Sequence, residues 1–284
     1  MSKLALGTVQ FGLDYGINNQ RGKVPENEAV EILEYAFKSG IDTLDTAAAY
    51  GSSEEVIGKF IRKNPKAFKI VSKLPKCRSE EVIGIVERSL ERLKGPSLYG
   101  YLLHDFKSFQ GDPEILNGLN ALKACGRIRK VGFSLYYPAE LEFLLQNKVE
   151  FDLLQVPYSI FDQRFGKYFK KMKDQGVEVH TRSTFLQGLV FKPPRELAPF
   201  FDAIKDKLSK LADISEPVSA CLGFVLLNKQ IDRVVVGVDS RKNLEEIIRS
   251  ADMAGRVADI YDDLAALKED SENILLPFNW KGVN

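Results

Sequence analysis

The chain has 284 residues, 44% of them hydrophobic and 28% charged, with a formal net charge of +1. That much apolar material supports a sizeable core, and so even a charge balance argues against a dominant nucleic-acid surface, which needs clustered Lys and Arg. No apolar run approaches the ~18 residues of a membrane span, and the start, Met1 to Gly7, is broken too soon for a signal peptide, so a soluble cytoplasmic protein is expected.

From Leu4 onward, short apolar runs alternate with amphipathic stretches, the signature of parallel strands covered by helices. Leu4 to Thr8 is the first strand, followed by a loop through Gly12 and Gly16. Glu26 to Ser39 reads as a helix with Ala29, Ile32, Leu33, Ala36 and Phe37 on one face. Ile41 to Asp45 is the second strand; Glu54 to Arg62 is the second helix, opened by the capping-box spacing of Ser52 and Glu55. Phe68 to Lys73 is a third strand stopped by Pro75, Ser79 to Leu93 a helix capped by Ser79, and Leu98 to Leu103 a fourth strand ending at His104. Pro113 to Cys125 is helical, Ile128 to Ser134 the fifth strand, Pro138 to Gln146 a short helix and Phe151 to Gln155 the sixth strand. Phe165 to Gln175 is a basic amphipathic helix, and Val177 to Arg182 alternates as the seventh strand. Helices over Leu197 to Leu211 and Val218 to Asn228 precede the eighth strand, Val234 to Val236, and Ser240 to Ser250 and Ala254 to Lys268 complete the helical layer.

Eight strands with helices between them favour one closed (β/α)8 barrel, of the TIM type, over an open sheet, in a single domain covering residues 1–284. No G-x-G-x-x-G opens a βαβ unit, which counts against a Rossmann domain. Cys77, Cys125 and Cys221 form no C-x-x-C pair, so neither a disulfide framework nor a metal site is expected. No sequence feature fixes an oligomeric state.

Barrel closure would bring Asp45, Lys73 and His104, at the ends of the second, third and fourth strands, into one mouth with Tyr50 just beyond the second. A phenol ionises near pKa 10, so donating its proton near neutral pH requires a neighbouring cation to stabilise the phenolate. Lys73 supplies that charge, Asp45 holds the ammonium, and His104 can orient a carbonyl oxygen. Such a set polarises a carbonyl but brings no hydride, which a reduced nicotinamide would supply.

Leu44-Asp45-Thr46-Ala47-Ala48-Ala49-Tyr50-Gly51, followed by Ser72-Lys73 and Leu103-His104, resembles the aldo-keto reductase superfamily. The resemblance runs from Leu6-Gly7-Thr8 to the loop after the eighth strand, and it implies NAD(P)H-dependent reduction of a small aldehyde or ketone, a keto-sugar among them. By that resemblance Tyr50 is the general acid, Asp45 and Lys73 tune it, and His104 orients the carbonyl. Gly7, Thr8 and Val9 lie under the nicotinamide, and Ser134 and Gln155 stand where its carboxamide is held, although the usual Ser-Asn pair is here Ser134-Leu135. After the seventh strand, Arg182, Ser183, Phe185, Leu186, Gln187 and Gly188 replace a tyrosine-led motif, and the planar Arg182 guanidinium can stack in the tyrosine's place. Gly237, Val238, Asp239, Ser240, Asn243 and Glu246 match the loop around the adenosine phosphates. The family's preference points to NADPH, with Arg241 and Lys242 close by and Ser240 and Asn243 able to donate, while the Asp239 carboxylate suits the ribose hydroxyl of NADH.

Two other readings stay open: a Schiff-base aldolase using Lys73, and a regulatory barrel that binds cofactor with negligible turnover. His180 reads as structural, and Lys170-Lys171-Met172-Lys173 as a wet helix face.

Overall fold

Val, Ile and Leu dominate the strand segments because helices cover one face of a parallel sheet and the opposite face lines a filled barrel. The structure, a computed structural model, describes residues 2–64 and 68–280, so the outermost ends of the expected 1–284 domain lie outside the described residues. In chain order the elements are β1 (Leu4–Gly7), α1 (Glu26–Lys38), β2 (Thr43–Asp45), α2 (Ser53–Lys63), β3 (Lys69–Leu74), α3 (Val82–Leu93), β4 (Leu98–Leu103), α4 (Phe106–Gly111), α5 (Ile115–Ala124) and β5 (Ile128–Ser134). They continue with α6 (Pro138–Gln146), β6 (Leu153–Pro157), α7 (Phe169–Asp174), β7 (Glu178–Arg182), α8 (Asp202–Ala212), α9 (Pro217–Leu226), β8 (Arg233–Gly237), α10 (Arg241–Asp252), α11 (Tyr261–Ala265) and α12 (Glu272–Leu275). Each strand pairs in parallel with its sequence neighbour, and β8 returns to β1 with Leu4 opposite Val234 and Gly7 opposite Gly237, closing the eight-stranded barrel.

The main core lies between strands and helices, where Ile32, Leu33 and Ala36 of α1 and Val86 and Leu90 of α3 are buried. A separate small cluster of Val71, Leu102 and Leu153 comes from β3, β4 and β6. Side chains alternate along a strand, so Lys73 and Gln155 share the face of Val71 and Leu153 one layer nearer the carboxyl ends. An apolar floor therefore lies beneath a polar tier. At the opposite end Glu178 accepts from Tyr99 (2.7 Å) and pairs with His180 (2.7 Å), so His180 stands in a network away from the barrel mouth.

All eight expected strands are present, and the differences have local causes. β2 starts at Thr43 because Gly40 adopts φ +80° and the Ile41 N–H turns back to the Ala36 carbonyl (3.0 Å), which uses Ile41 to close α1. The expected capping box at α2 does not form: Ser52 makes no side-chain cap, while Ser53 is buried and its Oγ donates to the Thr8 carbonyl (2.9 Å). Ser79 likewise does not cap α3; it opens a 3-10 turn, Ser79–Glu81, whose Arg78 N–H donates to Glu81. Prolines 193, 194 and 199 break the approach to α8 into short turns, moving its start from the expected Leu197 to Asp202. α4 and α12 are additional to the expected set. α4 is capped by Asp105, whose carboxylate accepts from the Ser108 N–H (3.2 Å). Among the described residues no helix is long and apolar enough to cross a membrane.

Candidate active site

Lys73 sits near the end of β3, only 1% exposed, and its Nζ donates to Asp45 Oδ2 (2.6 Å), to the Thr46 carbonyl (2.9 Å) and to Tyr50 Oη (3.5 Å). Three donors on the ammonium thus meet three acceptors. Gln155, from across the barrel on β6, donates to Asp45 Oδ1 (2.6 Å) and accepts from Ser134 Oγ (3.3 Å). Both carboxylate oxygens of Asp45 are therefore held, which fixes the ammonium against the phenol. His104 follows β4, its ring edge-on to Tyr50 at 5.9 Å between centroids and 81° between planes. The four residues expected to act together do converge.

The loop carrying Tyr50 is pinned from behind. The Ser53 N–H donates to the Tyr50 carbonyl (3.0 Å), and buried Glu54 at the start of α2 accepts from Ser72 (2.6 Å) and pairs with Arg92 of α3 (2.6 Å). From the front, Gly12 approaches so closely that a Cβ there would fall 1.7 Å from the Tyr50 carbonyl oxygen, so backbone has to move if the position is enlarged. Gly12→Ala is expected to displace the phenol and lower turnover by more than ten-fold, on the order of the penalty for ångström-scale misplacement. Steady-state turnover beside a far-UV spectrum matching the parent measures this; unchanged turnover refutes the pinning.

Burial dominates the electrostatics. Desolvation pushes the Tyr50 phenol well above its ordinary value, the Asp45 charge adds to the rise, and the Arg182 cation opposes it. At rest the phenol is held up, where the sequence leads one to expect an acidified phenol, because losing water outweighs the cation nearby. Desolvation also lowers Lys73, with Asp45 pulling it back up. His104 falls to about 3 through burial first and then the Lys73 and Arg182 charges, so its imidazole is neutral at ordinary pH. A protonated phenol and a neutral imidazole thus face one opening.

That opening is a cleft of about 390 Å³. Of the expected residues, Asp45, Tyr50 and His104 line one part, and Gly7, Thr8 and Val9, then Arg182, Ser183, Phe185, Gln187 and Gly188, and finally Gly237, Val238, Asp239, Asn243 and Glu246 line others. Lys73, Ser134, Gln155, Leu186 and Ser240 lie outside the lining, Lys73 reaching it only through Tyr50 and Asp45. Ser134 and Gln155 lie in the network under Asp45, Leu186 is buried, and Ser240 caps α10 by accepting from the Asn243 N–H (3.2 Å). Sequence reasoning missed Gln10, Tyr15, Tyr136 and Thr184, all cleft-lining. Their only signal is proximity to strand ends at the barrel mouth. The loops after β1 and β7 are joined where the Ile17 N–H donates to the Gln187 carbonyl (3.2 Å) and the Gln187 amide donates to Tyr15 Oη (2.6 Å). Gln187 holds φ +54° there, a left-handed conformation unusual for a side-chain-bearing residue.

Residues 3–265 match the model of the aldo/keto reductase family. The chain belongs to that family. It is 25% identical to L-galactose dehydrogenase of Arabidopsis thaliana over 96% of this chain and 94% of the relative, and 23% identical to the uncharacterized oxidoreductase YqkF of Bacillus subtilis over 88% and 91%. An aldo-keto reductase of Bacillus halodurans in its holo form superposes with a TM-score of 0.80 at 21% identity, covering 95% of this chain and 93% of that one, which is a likeness of fold.

Aldo/keto reductases are oxidoreductases that typically bind NAD(P)H. This cleft fits such a dinucleotide: Gln10 Oε1 and Thr184 Oγ1 are buried without partners, and Gly237 leaves space that a Cβ would fill, meeting Gln10 Nε2 at 2.9 Å. Unsatisfied polar atoms in a roomy cleft are what a polar ligand would satisfy.

Proposed function

We propose that this aldo/keto reductase reduces an aldehyde or ketone to the alcohol, with Tyr50 as general acid. The observation that carries the reading is the Lys73 ammonium held between Asp45 (2.6 Å) and Tyr50 Oη (3.5 Å) beside neutral His104. Bound reduced nicotinamide would supply the hydride to the carbonyl carbon. Tyr50 gives its proton to the carbonyl oxygen, and Lys73 stabilises the phenolate left behind. Asp45 keeps the ammonium in place, and His104 hydrogen-bonds the carbonyl oxygen to orient it. Gln10 and Thr184 join the expected glycine-rich positions as dinucleotide-holding residues. The test is dinucleotide oxidation followed at 340 nm against a panel of aldehydes, ketones and keto-sugars; binding without oxidation across the panel favours the regulatory alternative. The aldolase alternative is disfavoured because Lys73 is buried and fully engaged, and borohydride trapping of an adduct on it would revive that alternative.

The family expectation for the dinucleotide is NADPH, but a specific observation favours NADH. The cleft next to β8 is lined by Asp239 and Glu246, and two nearby cations, Arg21 and Arg241, are turned elsewhere, while exposed Lys242 lies outside the lining. Arg21 is committed to Glu28 (2.8 Å) and the Asp239 carbonyl (3.0 Å), and Arg241 to Glu245 (3.0 Å) with its guanidinium over Tyr35. A 2′-phosphate would face carboxylates, whereas ribose hydroxyls could donate to them. Calorimetric titration without substrate is expected to give NADH an affinity at least about ten-fold above that of NADPH, with Asp239→Ser narrowing the gap. Tighter NADPH binding would restore the family expectation.

A further inference from the structure

We propose that Arg182 is the residue by which the cleft selects its substrate, and that the carbonyl compound reduced carries a compact anionic group, a carboxylate or a phosphate, close to the reacting carbon. This rests on the reductase reading above and names its substrate class.

Buried Lys73 and half-buried Arg92 and Arg164 have carboxylate partners, Asp45 (2.6 Å), Glu54 (2.6 Å) and Asp162 (2.8 Å), whereas half-buried Lys3 donates to the Leu226 and Asn228 carbonyls (3.0 Å each). Arg182 is half-buried in the cleft beside Tyr50 and His104, and among the described residues it has no carboxylate partner. Its guanidinium lies 4.0 Å over the Tyr136 ring and donates to the Leu135 carbonyl (3.0 Å) and to Ser183 Oγ (3.4 Å). Tyr136 is itself backed edge-on by Phe278 at 5.3 Å, which holds the platform in place. Two of the five guanidinium donors thus meet neutral acceptors, and further donors remain for a ligand. Glu140, which follows Tyr136 and Tyr137, is committed to their N–H groups (2.8 and 3.0 Å).

The charge balance at the reacting end points the same way. Asp45 and Lys73 cancel, Tyr50 is protonated and His104 is neutral, which leaves the Arg182 charge without a direct ion pair among the described residues, the Glu140 carboxylate on the Tyr136 and Tyr137 N–H groups acting on it only at longer range. That charge is felt at Tyr50, at His104 and at Tyr15, whose ionisations it lowers. A planar, partly desolvated guanidinium with free donors matches a carboxylate or phosphate in a two-point hydrogen bond, and partial desolvation makes that pairing stronger than it would be in water. A neutral carbonyl compound would leave those donors without an ionic acceptor from the substrate.

The experiment compares kcat/KM within matched pairs at saturating dinucleotide: succinic semialdehyde against its methyl ester, and glyceraldehyde 3-phosphate against glyceraldehyde. The anionic member of at least one pair is expected to be preferred by about ten-fold or more, mainly through KM, and the preferred pair tells carboxylate from phosphate. Arg182→Met should bring the ratio near one and Arg182→Lys should keep part of it; because the ratio is taken within one variant, loss of folded protein cancels. A parent ratio near one overturns the proposal, as does a ratio that Arg182→Met leaves unchanged. Weaker calorimetric dinucleotide binding in Arg182→Met with the ratio intact would assign the residue to the cofactor and overturn it too. Turnover of neutral carbonyls alone sinks this inference and spares the reductase reading, whereas no dinucleotide oxidation with any carbonyl removes both.

Discussion

Tyr50→Phe is expected to cut carbonyl reduction by at least about two orders of magnitude, the usual scale of a positioned general acid, while dinucleotide affinity stays nearly intact. The change removes one oxygen and keeps the ring that meets His104 edge-on at 5.9 Å. Lys73 keeps its bonds to Asp45 (2.6 Å) and to the Thr46 carbonyl (2.9 Å), so no buried charge loses its main partner and the fold should hold. The measurement is single-turnover reduction beside a calorimetric titration of dinucleotide. Near-parental rates would take the phenol out of the chemistry, and a collapse of both quantities would mean that the loop, not the proton, had been lost.

Lys73→Met is expected to damage stability as well as activity. Asp45 is 4% exposed, and without the ammonium its carboxylate would keep only the Gln155 amide (2.6 Å) as a side-chain donor. Breaking a buried pair from one side typically costs about 3–5 kcal/mol, chiefly from the charge left behind. Removing that charge too, in Asp45→Asn/Lys73→Met, should recover much of the stability and none of the activity, since the phenolate would still lack its cation. Urea denaturation of the parent, the single variant and the double variant measures this. A single variant as stable as the parent would mean that the pair is solvated in solution, contrary to its burial here.

The barrel was legible in the chain because its strands are short apolar runs with strong punctuation: Gly126 before β5, Pro75 after β3, Pro157 at the end of β6. The convergence of Asp45, Tyr50, Lys73 and His104 was legible because strand ends in such a fold share one mouth. What escaped was set by tertiary competition. Ser52 has the spacing of a cap, yet the buried neighbour Ser53 finds Thr8, far away in sequence, and the local bond is never made. The resemblance places Ser134 and Gln155 at the nicotinamide carboxamide; that they also bond to each other and, through Gln155, to Asp45 depends on which polar atoms lie across the lumen, which sequence does not show. The raised resting state of Tyr50 was not legible for a related reason, since sequence shows a neighbouring lysine but not how much water the barrel excludes.

The reach of Gln155 across the lumen to Asp45 has an implication for how such a chain divides. Residues 45–104 hold the proton-handling set, while much of the cleft beyond it is contributed by residues 182–246. Neither half-barrel is self-sufficient, because the carboxylate that steadies the first is gripped by an amide belonging to the second. Grafting a foreign second half to obtain a new dinucleotide or substrate preference would therefore have to preserve that one glutamine, or the transplanted specificity would be joined to a slack proton donor.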